Sequence, residues 1–247
     1  MKGFLIALQF LTIFPVRIKS IKGKDFGDSL LYFPLIGLLI GLLLTLSSFL
    51  FSFLPPFLKA TLILLTSIII TGGIHLDGFA DTCDGFYGKK EKEKILEIMR
   101  DSHIGVMGVI GLIFNLLLKI GFIMAFSGAI LWKALILMTV FSRWTQVLVC
   151  NISSYARKEG KAKYFIEYAS KRSLYLGGGF CLALFLFLIQ FKGVILFFFS
   201  LLPVFLFSSY VKRKIGGMTG DTIGAVSELS EIVLLCGCLL LYGINRY

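Results

Sequence analysis

The stretch LLYFPLIGLLIGLLLTLSSFLFSFL, residues 30–54, contains no charged side chain. A helix needs about 20 apolar residues to cross the hydrocarbon core of a bilayer, so this stretch predicts a membrane-spanning helix. Two other uncharged runs, at 174–191 and 193–211, are long enough to span as well. These three runs predict an integral membrane protein rather than a soluble domain.

Weaker apolar runs fill most of the remaining chain. Three of these runs are interrupted by basic residues, and they lie at about 57–74, 104–126 and 130–150. The fourth run, at about 229–244, is short for a span unless the acidic turn that precedes it is part of the same helix. The chain is 57% hydrophobic and 16% charged, with a mean hydropathy of +0.90. We therefore predict an all-α fold, a polytopic bundle of membrane helices with about 7–8 spans.

Nothing in the sequence divides the chain into separate domains. No linker, low-complexity tract or clear repeat occurs, so we expect one membrane-embedded catalytic domain over residues 1–247. Residues 1–15 have Lys2 ahead of an apolar core, as a signal peptide does, but no convincing small-residue cleavage site follows. We interpret this segment as a retained first helix or an interfacial segment.

The net charge of +11 is concentrated in loops. Basic loops alternate along the chain with connections that carry few charges, and the positive-inside rule places the basic loops in the cytoplasm. Because the basic clusters are interleaved with spans, a nucleic-acid partner is not expected, whereas the lipid bilayer is. The basic clusters lie at 17–24, 89–100, 157–172 and 212–214, and the nearly neutral connections near 55–59, 128–133 and 192.

The most informative motif for function is GGIHLDGFADTCDGFYG, residues 72–88. It places Asp77, Asp81 and Asp84 at i, i+4 and i+7, which is one face of a helix. Three like charges on one face repel, and carboxylates beside a membrane segment are functional candidates by default. A bound divalent cation would neutralise them. Ligands that are all oxygen suit Mg²⁺, which commonly uses a few carboxylates together with substrate phosphates.

Two other segments of the sequence contain candidate acidic residues. MRDSHIG, residues 99–105, contains Asp101, and GGMTGDTIGAVSELSE, residues 216–231, contains Asp221 and Glu228, seven positions apart and hence on one helical face. The predicted topology puts all of these acids on the cytoplasmic side. The candidate metal ligands are Asp77, Asp81, Asp84, Asp101, Asp221 and Glu228.

Glycine and arginine residues could complete a phosphate site. Gly217 and Gly220 would allow backbone N–H groups to approach an anion, and the N-terminus of the following helix favours phosphate. Arg100, Arg143 and Arg157 are the candidate cations. Arg143 lies inside an apolar run, where an arginine usually faces the bundle interior and finds an anionic partner. A structural ion pair with one of the carboxylates is the alternative for Arg143.

The chain has two histidines, His75 and His103, and each flanks an acidic motif. Either could move a proton or donate a hydrogen bond to a phosphate. Acidic clusters, glycine turns and basic residues on one side of a membrane indicate metal-assisted phosphoryl transfer, in which the protein chiefly positions groups and stabilises charge. This reasoning identifies a reaction class and no substrate.

Several motifs together resemble those of a known family, the cobalamin synthases, which are the adenosylcobinamide-GDP ribazoletransferases of vitamin B12 assembly. The motifs occur in the family's order from residue 10 to residue 231, so the resemblance covers nearly the whole chain. They are FLTIFPV, HLDGFADTCDGFYG, MRDSHIGVMGVIG, SRWTQVLV with the later SSYARKEGKA, and GGMTGDTIGAVSELSE.

The resemblance implies a multi-pass inner-membrane enzyme that requires Mg²⁺. It would join adenosylcobinamide-GDP to α-ribazole with release of GMP, giving adenosylcobalamin, or to α-ribazole 5′-phosphate, giving adenosylcobalamin 5′-phosphate. A ribose hydroxyl would attack the phosphorus nearer the cobinamide, and Asp81, Asp84 and His75 are all candidates for the base that takes its proton. Cys83 stands where the family often has a small residue, and His103 stands where it often has arginine.

Two other classes remain as alternatives. CDP-alcohol phosphotransferases also use aspartates and Mg²⁺ at a membrane, but the AR pair and the G-x-x-x-D-x-x-x-D tail of their motif do not follow the first DG at 77–78. A cation-coupled transporter would also carry membrane carboxylates, but such sites tend to lie near the bilayer midplane. Here the acids are expected at the cytoplasmic ends of spans.

Overall fold

The computed structural model describes residues 2–126 and 128–242, and these residues are almost entirely helical with no β-strand among them. A one-turn 3₁₀ helix, Leu30–Tyr32, connects the second and third α-helices. The α-helices are α1 (Lys2–Leu11), α2 (Gly23–Ser29), α3 (Phe33–Leu50), α4 (Pro56–Thr71), α5 (Ile74–Phe86), α6 (Lys92–Ile98), α7 (Val106–Ala125), α8 (Gly128–Ile152), α9 (Lys161–Glu167), α10 (Lys171–Ile189), α11 (Phe191–Ile215) and α12 (Gly220–Tyr242).

The membrane-helix prediction is confirmed. Six segments are long and apolar enough to span a membrane, and α4 together with α5 raises the number to seven if that bent pair counts as one span. The last span begins at Gly220, so the acidic first turn does belong to it. Helix α1 has 10 residues and a length of about 15 Å, which is too short to cross a bilayer alone.

Helices α4 and α5 are separated by a bend of 93° at Gly72 and Gly73. Both glycines have left-handed backbone angles, with φ of 64° and 68°, which residues with a Cβ adopt at a cost. The bend directs α5 onto α12. There a Cβ on Gly78 would lie 2.7 Å from the Cα of Asp221, so glycine is required for the close approach of these two helices. The bend and the contact bring two acidic motifs together.

The loops that carry the basic clusters lie at one end of the bundle. The backbone of Met218 exchanges hydrogen bonds with the chain after α8, donating to the carbonyl of Ser154 and accepting from the N–H of Ala156, both at 2.8 Å. The Lys214 ammonium group donates to the carbonyl of Gly88 at 3.4 Å. We call this the basic end of the bundle.

Helix α8 is the central helix, and its residues 134–150 are all buried inside the bundle. Many large apolar side chains on the surrounding helices are exposed on the protein surface instead, such as Phe49, Phe187 and Leu240. An outward-facing apolar belt of this kind is what a lipid environment requires.

Candidate functional site

A cavity of about 320 Å³ opens at the basic end of the bundle, and we call it the acidic cavity. It combines charged groups with an apolar wall of three phenylalanines. Its principal lining residues are Phe10, Phe33, His75, Asp77, Gln146, Tyr155, Arg157, Lys161, Phe165, Gly220 and Asp221.

The cavity joins aspartates from two distant parts of the sequence. Asp77 on α5 and Asp221 on α12 both line it, and Asp81 lies one turn beyond Asp77, within electrostatic range of both. Asp221 accepts a hydrogen bond from the Arg157 guanidinium at 2.7 Å, and Arg157 also donates to the backbone carbonyl of Met99 at 3.2 Å. One arginine therefore connects the loop after α8 with the start of α12 and with the end of α6.

The N-terminus of α12 lies at the cavity and is fixed by a reciprocal cap. The Thr219 backbone N–H donates to the Thr222 hydroxyl at 2.8 Å, and the Thr222 N–H donates to the Thr219 hydroxyl at 3.2 Å. Gly220 begins the helix at the cavity wall, where backbone N–H groups favour an anion. Gly217 has a different role, because a Cβ there would lie 2.4 Å from the carbonyl oxygen of Ser154. It allows close backbone packing rather than lining the cavity.

His75 lies at the inner part of the cavity and is almost completely buried. Its Nε2 atom is 3.1 Å from Nε2 of Gln146, a residue of the central helix. The Oε1 atom of Gln146 is buried without a partner among the described residues. Gln146 therefore fixes the orientation of the imidazole ring while retaining an unused acceptor beside it.

Asp84 lies on the same helix face as Asp77 and Asp81, but its carboxylate accepts hydrogen bonds from backbone N–H groups of another helix. Its two carboxylate oxygens accept the backbone N–H groups of Gly105 and Gly108 at 2.7 and 2.8 Å. These are N-terminal groups of α7 with no partner inside that helix, so Asp84 caps α7 from a neighbouring helix. Both carboxylate oxygens of Asp84 are therefore engaged in capping α7.

A second, more open cavity contains Asp84, Asp101 and His103. The His103 ring lies 2.7 Å from the Asp101 carboxylate, and hydrogen bonds from the His103 backbone N–H and ring hold the pKa of Asp101 below its usual value. Asp101 and His103 are exposed and lie outside the acidic cavity, and Arg100 is an exposed neighbour that does not line it. The structure does not bring these three residues to Asp77 and Asp221.

Glu228 and Arg143 also lie outside the cavity, deeper in the bundle. Lys119 of α7 donates to Glu228 and Glu231 at 2.7 and 2.6 Å, and Arg143 of α8 donates to Glu231 at 3.0 Å and to Ser227 at 2.7 Å. All four charged groups are buried and their charges balance. Arg143 therefore forms a structural ion pair with Glu231, which is the alternative to phosphate binding that the sequence analysis left open. Arg143 and Glu228 do not line the acidic cavity.

The sequence analysis did not single out several residues of the acidic cavity and of the buried ion-pair cluster. Gln146, Tyr155 and Lys161 line the acidic cavity but belong to no acidic motif. Partial burial raises the pKa of the Tyr155 hydroxyl, which donates to the carbonyl of Glu159. Lys119 did leave a signal, since a lone lysine within an apolar run indicates a buried anionic partner.

The donor set of the acidic cavity fits Mg²⁺ shared with a substrate. Asp77 and Asp221 offer only oxygen, the ligand that Mg²⁺ prefers. In the described part of the chain, no three Asp, Glu, His or Cys side chains converge closely enough to form a complete metal site by themselves. Mg²⁺ is commonly held by one or two carboxylates plus substrate phosphates, and that arrangement requires no protein cage.

Fold and site define a class: a polytopic helical membrane protein in which distant acidic motifs meet in a cavity at one end. The chain belongs to the cobalamin-5-phosphate synthase family, whose sequence profile it matches over residues 3–239. It is similar to proteins named adenosylcobinamide-GDP ribazoletransferase. That of Clostridium acetobutylicum is 37% identical over 95% of this chain and 94% of its own, and that of Desulfitobacterium hafniense is 38% identical over 98% of both.

The relative from Citrobacter koseri carries the same name and is 36% identical over 96% of this chain and 99% of its own. No solved structure matches the chain.

Proposed function

We propose that this chain transfers ribazole in the last steps of vitamin B12 assembly. It joins adenosylcobinamide-GDP to α-ribazole and releases GMP, giving adenosylcobalamin, and it accepts α-ribazole 5′-phosphate to give adenosylcobalamin 5′-phosphate. The family and the names of the relatives support this activity over a CDP-alcohol phosphotransferase or a transporter. The structural observation that carries the proposal is the convergence of Asp77, Asp221 and Arg157 on one cavity.

The reaction exchanges one phosphorus–oxygen bond for another. The ribazole hydroxyl oxygen bonds to the phosphorus attached to cobinamide, the bond from that phosphorus to the bridging oxygen breaks, and GMP leaves with that oxygen. When bound, Mg²⁺ offsets the charge of the pyrophosphate and of departing GMP. Asp77 and Asp221 would hold it, while Arg157 and the N-terminus of α12 at Gly220 supply further positive charge on the same side of the cavity.

Asp81 is the proposed acceptor of the hydroxyl proton. Asp84 is bonded to two backbone N–H groups, and His75 is buried against Gln146. Asp81 is only half-buried and makes no hydrogen bond to another described side chain, so its carboxylate is free to face a substrate. It lies one helical turn from Asp77, which places the proposed base beside the proposed metal ligand.

The size and lining of the cavity favour the ribazole rather than the corrinoid as its occupant. About 320 Å³ is at the lower end of the range for small-molecule sites. Phe10, Phe33 and Phe165 form an aromatic cluster with ring centroids between 4.6 and 6.1 Å, suited to a flat aromatic base. The corrinoid would remain outside, at the membrane surface.

We further propose that the basic end faces the cytoplasm of the cell inner membrane. The Lys and Arg bias of the loops supports this orientation. It would give the acidic cavity access to nucleotide-linked substrate and to cytoplasmic Mg²⁺.

The direct test measures GMP release by the purified protein in detergent or liposomes, with both substrates present. We expect GMP in stoichiometric amounts with cobalamin, loss of both when Mg²⁺ is chelated, and recovery when it is restored. Asp81→Asn should lower kcat at least 100-fold without raising the Mg²⁺ requirement, the signature of a lost base. Release of GMP without α-ribazole, or full turnover in the chelator, would refute the proposal.

A further inference from the structure

A third cavity, of about 330 Å³, lies at the basic end between α1, α2 and the start of α10. It contains one acid, Asp28, and one base, Arg172, together with Ser170 and Ser173. Both charged side chains are exposed, and neither forms an ion pair within the described residues. Among the described residues, the cavity thus offers two opposite charges without an ion-pair partner. The mechanism proposed above uses none of these residues.

An apolar groove of about 240 Å³ adjoins this cavity on the flank of the bundle. Leu31 and Tyr32 line both, so the groove and the cavity share a wall. On the other side the groove is bounded by Leu176 and Phe180 of α10, and its floor includes Gly177. Since α10 and the segment containing α3 are long and apolar enough to span a membrane, we expect the groove to face the hydrocarbon core and the cavity to lie nearer the headgroups.

We propose that the Asp28–Arg172 cavity and this groove bind one phospholipid of the phosphatidylethanolamine type. Its phosphate contacts Arg172, its primary ammonium contacts Asp28, and an acyl chain fills the groove. Each polar contact is a charge-assisted hydrogen bond, the stronger class of such bonds. Tyr32 lies at the junction of polar and apolar surface, the position that tyrosine favours at membrane interfaces.

The charge pattern distinguishes this lipid from the other common ones. An anionic headgroup such as that of phosphatidylglycerol would satisfy Arg172 but would leave Asp28 without a partner and close to a second negative charge. A choline headgroup carries positive charge but no N–H, so it can donate no hydrogen bond to the Asp28 carboxylate. Of these three headgroups, only the zwitterion with a primary amine supplies a hydrogen-bonded partner of opposite charge to both Arg172 and Asp28.

Native mass spectrometry of the full chain in mild detergent tests the proposal. The wild-type protein is mixed with equal amounts of phosphatidylethanolamine, phosphatidylcholine and phosphatidylglycerol of identical acyl chains. We expect one tightly held phosphatidylethanolamine, at least fivefold above either competitor. Arg172→Gln should weaken that binding about tenfold, and Asp28→Asn should remove the preference over phosphatidylcholine. Arg213→Gln, an exposed arginine at the same end, is the matched control and should change nothing.

The wild-type competition alone can overturn the proposal, whatever the variants do. Equal retention of the three lipids, or preference for phosphatidylglycerol, would show that Asp28 does not select a lipid by its ammonium group. Unchanged binding in both Arg172→Gln and Asp28→Asn would place any bound lipid elsewhere on the bundle. Saturable binding of soluble phosphoethanolamine with the same affinity would exclude the apolar groove as part of the site.

Discussion

Replacing Lys119 by methionine should severely destabilise the bundle. Lys119 is buried and is the cation closest to Glu228, with its Nζ atom 2.7 Å from that carboxylate and 2.6 Å from Glu231. Methionine fills a similar volume without charge, so Arg143 alone would remain to balance two buried carboxylates. Removal of one partner from a buried ion pair costs about 3–5 kcal/mol. For a chain of this length that corresponds to a fall in Tm of roughly 6–20 °C.

The assay is thermal unfolding of the purified variant in detergent, followed by intrinsic fluorescence. Lys212→Met, an exposed lysine at the end of α11, is the matched control and should unfold within about 2 °C of wild type. The double variant Lys119→Met/Glu228→Gln restores neutrality and should recover most of the loss. A single variant as stable as the control, or a double variant no better than the single, would refute the claim that charge balance holds these helices together.

Three further results are expected. Asp84→Ala should lower the stability of α7 by about 1 kcal/mol through loss of its cap, measured as faster amide exchange at its N-terminus, and normal exchange there would contradict the capping role. Gln146→Leu should raise KM for α-ribazole with little effect on kcat, because it removes the unpaired Oε1 acceptor from the wall of the cavity proposed for ribazole, and an unchanged KM would remove Gln146 from the site. Single cysteines at positions 89 and 53 should react from opposite faces of the membrane, the first from the cytoplasm, and labelling of both from one side would contradict the topology.

The spans were predictable because long uncharged runs can adopt few other structures. The sequence left the start of the last span open, because Glu228 and Glu231 lie at the beginning of its apolar run. The structure buries both against Lys119 and Arg143, and the pairing allows the helix to continue. Spacing along one helix could not identify partners on two others.

The candidate site was predictable in part. The one-face spacing of Asp77, Asp81 and Asp84 does occur in one helix, and Asp221 does share a cavity with Asp77. The sequence pattern could not separate Asp84 from the other two, because its partners are backbone N–H groups whose location depends on how α7 packs. The 93° bend before α5 arises from two left-handed glycines, a conformation that composition does not reveal.

The proposed arrangement in which Asp77 and Asp221 hold one Mg²⁺–pyrophosphate site from the same cavity is the central feature of the mechanism. It is tested most directly by titrating Mg²⁺ in the GMP-release assay with Asp77→Asn, Asp221→Asn and the exposed control Glu93→Gln. Loss of one charged ligand should raise the Mg²⁺ concentration for half-maximal activity at least tenfold in each aspartate variant, or abolish turnover, while the control matches wild type. Half-maximal activity at the wild-type Mg²⁺ concentration, with normal kcat in both variants, would contradict the account.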